Sequence, residues 1–210
     1  MTPVELFERN FAACPLIAII RGVTPGEVEA VGRAIVEGGI GIIEVPLNSP
    51  DPLDSIARLA ALFGERVLVG AGTVLDVASV AAVRDAGAGL VVSPNSNPAV
   101  IAAAAGAGMV SCPGYFTPSE AFAALAAGAH ALKLFPAEAA SPKVVKAHRA
   151  VLPRHVPLVV VGGVEPDSME PWIQAGADGF GLGSGLFKPG QSADSVAANA
   201  RAYVTGLARR

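Results

Sequence analysis

The sequence predicts an α/β fold, a (β/α)8 TIM barrel with one extra helix at its N-terminus. Three observations predict it: eight short apolar runs, a stretch of helix length after each, and proline or glycine at the boundaries. The runs begin near Leu16, Gly41, Val67, Leu90, Met109, His130, Pro157 and Asp178, at intervals of 19 to 27 residues. Unbroken apolar runs of four to six residues suit strands buried on both faces, as in a parallel sheet. An open doubly wound sheet would use fewer strands and a glycine-rich first turn. The first run here ends Ile19-Ile20-Arg21-Gly22-Val23, which is no phosphate loop. The expectation is a single barrel domain over residues 1–210, with residues 3–13 as a helix across its bottom.

The connecting stretches carry helix start and stop signals. Thr24-Pro25-Gly26-Glu27 and Thr117-Pro118-Ser119-Glu120 each place a capping threonine before proline and a glutamate three residues on. Ser141-Pro142 and Glu165-Pro166-Asp167 are read as two further starts. Gly87, Gly108, Gly128 and Gly176 precede strands, where a left-handed residue stops a helix. Much of the complement of 24 glycines and 17 prolines is therefore punctuation.

Charge and cysteine content narrow the function classes. A net charge of -3 gives no electrostatic footprint for nucleic acid or an anionic membrane. The alanine-rich stretch 121–140 contains His130, Lys133, Pro136 and Glu138, so it is not read as a membrane span. The N-terminal residues lack the basic start and apolar stretch of a signal peptide. Cys14 and Cys112 have no paired spacing, which suits a reducing compartment, and the expected location is the cytoplasm. His130, His148 and His155 do not cluster with acids at ligand spacing, so no metal site is expected.

In a barrel of this kind the chemistry lies at the C-terminal ends of the strands. Lys133 is the sharpest feature there. Of four lysines, it alone interrupts an apolar run, Ala131-Leu132-Lys133-Leu134-Phe135. Burial disfavours an ammonium, and the resulting neutral amine is the nucleophile for Schiff-base formation with a carbonyl. The plainer alternative is a lysine paired with a carboxylate for structure. Glu44 ends the second run, and alternation puts it on the face of Ile42, as Lys133 is on the face of Ala131. If both faces point inward the pair meets, and Glu44 is a proton shuttle or simply a counter-ion. Gly162-Gly163 and Gly183-Ser184 fall after the seventh and eighth strands, where such barrels often bind phosphate; tight turns alone are the other reading.

The runs Ile43-Glu44-Val45-Pro46-Leu47-Asn48-Ser49-Pro50, Gly70-Ala71-Gly72-Thr73-Val74-Leu75, Ser93-Pro94-Asn95, Ala131-Leu132-Lys133-Leu134-Phe135-Pro136, Val161-Gly162-Gly163-Val164 and Gly181-Leu182-Gly183-Ser184 resemble the class I 2-keto-3-deoxy-6-phosphogluconate/galactonate aldolases. The resemblance is in order along the chain and covers about residues 15–205. It implies metal-free, cofactor-free and reversible cleavage of a phosphorylated keto sugar acid to pyruvate and D-glyceraldehyde 3-phosphate, by a homotrimer. By position it implies Lys133 as the Schiff-base lysine and Glu44 as the general acid/base. It implies Arg21, Gly72 and Thr73 around the substrate carboxylate, and Gly162, Gly163, Gly183 and Ser184 around the phosphate. Pro94 and Phe135 would shape the pocket.

Two positions separate the branches of that family, whose substrates are epimers at C4. Asn48 stands where the gluconate branch usually has arginine, and Val161 where it has threonine. The pattern resembles the galactonate branch, with a gluconate-specific or dual-specificity aldolase as the alternative. Two other classes share some of these features. A phosphate-binding barrel isomerase or synthase would keep the glycine turns without needing Lys133, and a sugar-phosphate binding protein would need neither Lys133 nor Glu44.

Overall fold

The computed structural model describes residues 1–207; the last three residues of the expected 1–210 domain lie outside them. Eight parallel strands close in sequence order, with the last pairing to the first. They are β1 (Leu16–Ile19), β2 (Ile42–Pro46), β3 (Leu68–Gly72), β4 (Leu90–Ser93), β5 (Val110–Tyr115), β6 (Leu132–Leu134), β7 (Leu158–Val161) and β8 (Gly179–Leu182). Each begins within two residues of the apolar run that predicted it. The helices are α1 (Pro3–Ala13), α2 (Val28–Glu37), α3 (Pro52–Phe63), α4 (Val77–Asp85), α5 (Pro98–Gly106), α6 (Pro118–Ala126), α7 (Pro142–Arg149), α8 (Glu170–Gln174) and α9 (Ala193–Leu207).

Every strand residue is buried, and alternation divides the apolar residues into two separate cores. Leu16, Ala18, Ile43, Val45, Leu132, Leu134, Leu158 and Val160 face outward and pack under the helices. Ile17, Ile19, Ile42, Leu68, Leu90, Val92, Val110, Ala131, Val159 and Val161 fill the barrel from within. Leu6 and Phe7 of α1 belong to the inner core, so the N-terminal helix plugs the bottom, as expected. The plug is fixed by polar contacts as well: the Asn10 amide donates to the Gly41 carbonyl at 2.8 Å. Gly179 leaves room for Phe11, since a Cβ there would lie 2.7 Å from its ring.

The helix signals are partly confirmed. At α6 the full reciprocal box forms between Thr117 and Glu120, and Ser141 precedes Pro142 at the start of α7. Gly87, Gly108, Gly128 and Gly176 all take positive φ before their strands. Two predicted starts are instead turns. The Glu27 carboxylate accepts from both the N–H and the hydroxyl of Thr24, so that hydroxyl acts as a donor, and α2 starts only at Val28. At Glu165-Pro166-Asp167 the Ser168 hydroxyl bridges the N–H and carbonyl of Glu165, and α8 starts at Glu170. In both cases a side chain satisfies the local backbone more cheaply than a helical turn would.

Candidate active site

The inner face of the barrel determines what reaches its mouth. Lys133 follows Ala131 on the inner face of β6, and its neighbours in register are Gly114 and Val159. The lysine is buried, and its ammonium lies 4.7 Å from the centre of the Phe135 ring, two residues on. Burial lowers its pKa from the ordinary lysine value, and the Arg21 charge adds to that, while the negative charge of Glu44 opposes it. The amine is thus moved toward the neutral form.

Glu44 projects from β2 into the same interior and is fully buried. Desolvation pushes its carboxyl up to about 7, against the opposing pull of Lys133 and Arg21. Its Oε2 has no hydrogen-bond partner, and no ion pair joins it to Lys133 among the described residues. An unpartnered buried carboxylate costs free energy and is retained where it has work to do. Gly72 makes the position possible: a Cβ at residue 72 would lie 2.0 Å from Oε2. The glycine expected beside the substrate carboxylate therefore has a direct steric role toward Glu44. Cys112, also on the inner face, has its thiol pushed up to about 12 by burial and stays protonated.

Above these groups opens a cavity of about 440 Å³ at the C-terminal ends of the strands. Of the expected site residues, Arg21, Thr73, Pro94, Lys133, Phe135, Val161, Gly162, Gly163, Gly183 and Ser184 line it. Glu44, Gly72 and Asn48 do not. Asn48 acts one step away, its side-chain oxygen accepting a hydrogen bond from the Arg21 guanidinium. Thr73 holds φ 57, a left-handed conformation that is strained for a β-branched residue. Gly162 and Gly163 have φ 119 and 62, as a turn presenting its backbone requires. Gly183 opens a single helical turn, its carbonyl accepting from Leu186 and Phe187. Val161 packs toward Gly181, where a Cβ would meet its methyl at 2.7 Å.

Three charged residues at this mouth were not anticipated: Glu138, Glu165 and Lys188. Glu138 lies in a 3-10 turn after β6 and approaches the Gly162-Gly163 turn so closely that a Cβ at residue 162 would meet its carboxylate at 2.2 Å. Strand alternation ends at Phe135, so no period points to it. Lys188 did carry a signal, the turn sequence Lys-Pro-Gly-Gln after the eighth strand. The histidines lie elsewhere: His130 Nδ1 accepts from the Ser111 N–H, and His148 pairs with the Tyr115 hydroxyl outside the barrel.

The model of the KDPG and KHG aldolases matches residues 7–199. The chain belongs to that family. It is therefore an aldolase, a lyase. Among curated relatives, 2-dehydro-3-deoxy-6-phosphogalactonate aldolase of Escherichia coli (strain K12) is 47% identical over 190 residues, covering 90% of this chain and 93% of that protein. Probable 2-dehydro-3-deoxy-6-phosphogalactonate aldolase of Rhizobium meliloti (strain 1021) is 50% identical over 182 residues, covering 87% and 86%. A solved structure described as native KDPGal superposes with a TM-score of 0.91 at 46% identity, covering 93% of this chain and 95% of that one. Membership in the aldolase family sets aside the isomerase, synthase and binding-protein readings. No helix among the described residues is long and apolar enough to cross a membrane.

Proposed function

We propose that this aldolase reversibly cleaves 2-dehydro-3-deoxy-6-phosphogalactonate to pyruvate and D-glyceraldehyde 3-phosphate through a Schiff base on Lys133. One observation carries the reading: a single buried lysine with a lowered pKa lines the mouth cavity, with a buried, protonatable carboxylate beneath.

Neutral Lys133 Nζ attacks the C2 ketone to give a carbinolamine. Glu44, poised near neutrality, moves the protons that let the C2 oxygen leave as water, forming an iminium. The C4 hydroxyl then gives up its proton, by way of water, to Glu44. The C3–C4 bonding electrons pass to the iminium, and glyceraldehyde 3-phosphate leaves as the aldehyde. The remaining enamine is protonated at C3, and water hydrolyses the pyruvate iminium to free Lys133. Arg21 and Thr73 are assigned to the substrate carboxylate, with Asn48 orienting Arg21. The turns at Gly162-Gly163 and Gly183-Ser184 are assigned to the phosphate. Val161 brings a methyl surface rather than a hydroxyl to the cavity wall, which supports the galactonate epimer. A single domain acting in a cytoplasmic homotrimer completes the reading.

Borohydride reduction with pyruvate, followed by peptide mapping, is expected to label Lys133. Lys133→Met should fold, take no label and cleave no substrate; label elsewhere would remove the Schiff-base assignment. In a pyruvate-release assay the galactonate substrate should show the higher kcat/KM, and equal values for the two C4 epimers would remove the branch assignment. Light scattering should give three chains per particle.

A further inference from the structure

Three basic residues line the mouth cavity: Arg21, Lys133 and Lys188. Arg21 is held by Asn48, and Lys133 must shed its charge to act as a nucleophile. Lys188 is committed to neither task, and no ion pair among the described residues engages it. Its backbone is nevertheless well placed. The Gln191 N–H donates to the Lys188 carbonyl at 3.1 Å, and the Lys188 N–H donates to the Gln191 side-chain oxygen at 3.0 Å. With Pro189 second and Gly190 third at φ 81, the segment fits a type II turn. Pro189 in turn sits against Gly22, where a Cβ would lie 2.8 Å from its ring. Two independent restraints thus hold Lys188 at the rim beside Gly183 and Ser184.

The opposite charge is already present there. Glu138 and Glu165 line the same cavity, and Glu138 lies directly against the Gly162-Gly163 turn. A phosphate monoester brings about -1.5 to -2 charges at neutral pH. Backbone N–H groups supply only partial charges, so a dianion entering beside two carboxylates needs a full cation nearby.

We propose that Lys188 is the specificity-determining residue for the phosphate, offsetting the repulsion of Glu138. The inference rests on the aldolase reading above and adds a full positive charge to a subsite otherwise assigned to two uncharged turns. Because the phosphate is remote from the C3–C4 bond, the interaction strengthens ground state and transition state alike, and its loss appears in KM.

The test compares the intact enzyme and its variants on the phosphorylated keto acid and on the same keto acid without phosphate. Lys188→Met is expected to raise KM for the phosphorylated substrate about tenfold, with kcat nearly constant, the size of one hydrogen bond to a charged group. Lys188→Arg should restore KM. Glu138→Gln added to Lys188→Met should recover part of the loss, since it removes the opposing charge. An unchanged KM in Lys188→Met, an equal loss on both substrates, or no recovery from Glu138→Gln would overturn the proposal. Pyruvate trapping reads the aldolase chemistry separately, because pyruvate carries no phosphate. Failure of the wild-type enzyme to trap would strike that reading itself, whatever Lys188 does.

Discussion

Glu44 shows how a single residue can oppose stability in order to serve chemistry. Its carboxyl is pushed up to about 7, above the ordinary value of 4.5. The folded state therefore binds more protons than the unfolded chain between those limits, and stability falls as pH rises through them. The cost is absent below about 4.5 and complete above about 7, where it amounts to about 3 kcal/mol. Glu44→Gln is accordingly expected to raise Tm at pH 8 and leave it unchanged at pH 4 in thermal melts. The same variant should lower kcat by about 10² to 10⁴-fold, as loss of a general acid/base does. Lys133 was legible beforehand because a charge inside an apolar run is unmistakable even in one dimension. Asn48 stood out in the sequence only by its place in a motif; its contact is with Arg21, 27 residues away, and only the approach of two loops makes that contact.

The strands translate residue chemistry into position. β3 carries Leu68, Gly70 and Gly72 along its inner face, running from filled core to open space below the mouth, and Glu44 occupies that space. Gly72→Ala should therefore displace the Glu44 carboxylate without disturbing the outer face of the sheet. The expected result is kcat reduced at least tenfold, with circular dichroism unchanged and pyruvate trapping slowed. Normal kcat in this variant would show that Glu44 works from another place. The strand itself was predictable from its apolar run, but which of its glycines faced a carboxylate was not. That depended on a diagonal contact, since Glu44 pairs in register with Gly70, two residues before Gly72, while Gly72 pairs with Pro46. The turns at Thr24 and Glu165 teach the complementary lesson. Both match a helix-start pattern, and both are decided by a side-chain hydrogen bond whose direction the pattern does not specify.

At the level of the molecule, the barrel keeps stability at one end and chemistry at the other. α1 seals the bottom with Leu6 and Phe7, and Phe7 stacks on Phe11 at 5.1 Å between centroids. Phe7→Ala is expected to cost about 3 kcal/mol and to lower Tm by about 10 °C. kcat measured at a temperature where the variant remains folded should be unaltered; a fall in kcat there would mean that the two ends are coupled. Strand period, helix punctuation and the identity of Lys133 are properties of adjacent residues, so the chain announces them in linear order. The eightfold repeat was enough for the fold class, and the motifs were enough for the family. Tertiary structure decided the rest: that Glu138 and Lys188 share a mouth with the Gly162-Gly163 and Gly183-Ser184 turns, that Gly72 yields to Glu44, and that Glu44 keeps an unpartnered oxygen. Those facts arise only when closure of the barrel brings distant loops within a few ångströms, where sterics and desolvation act on pairs that sequence distance keeps apart.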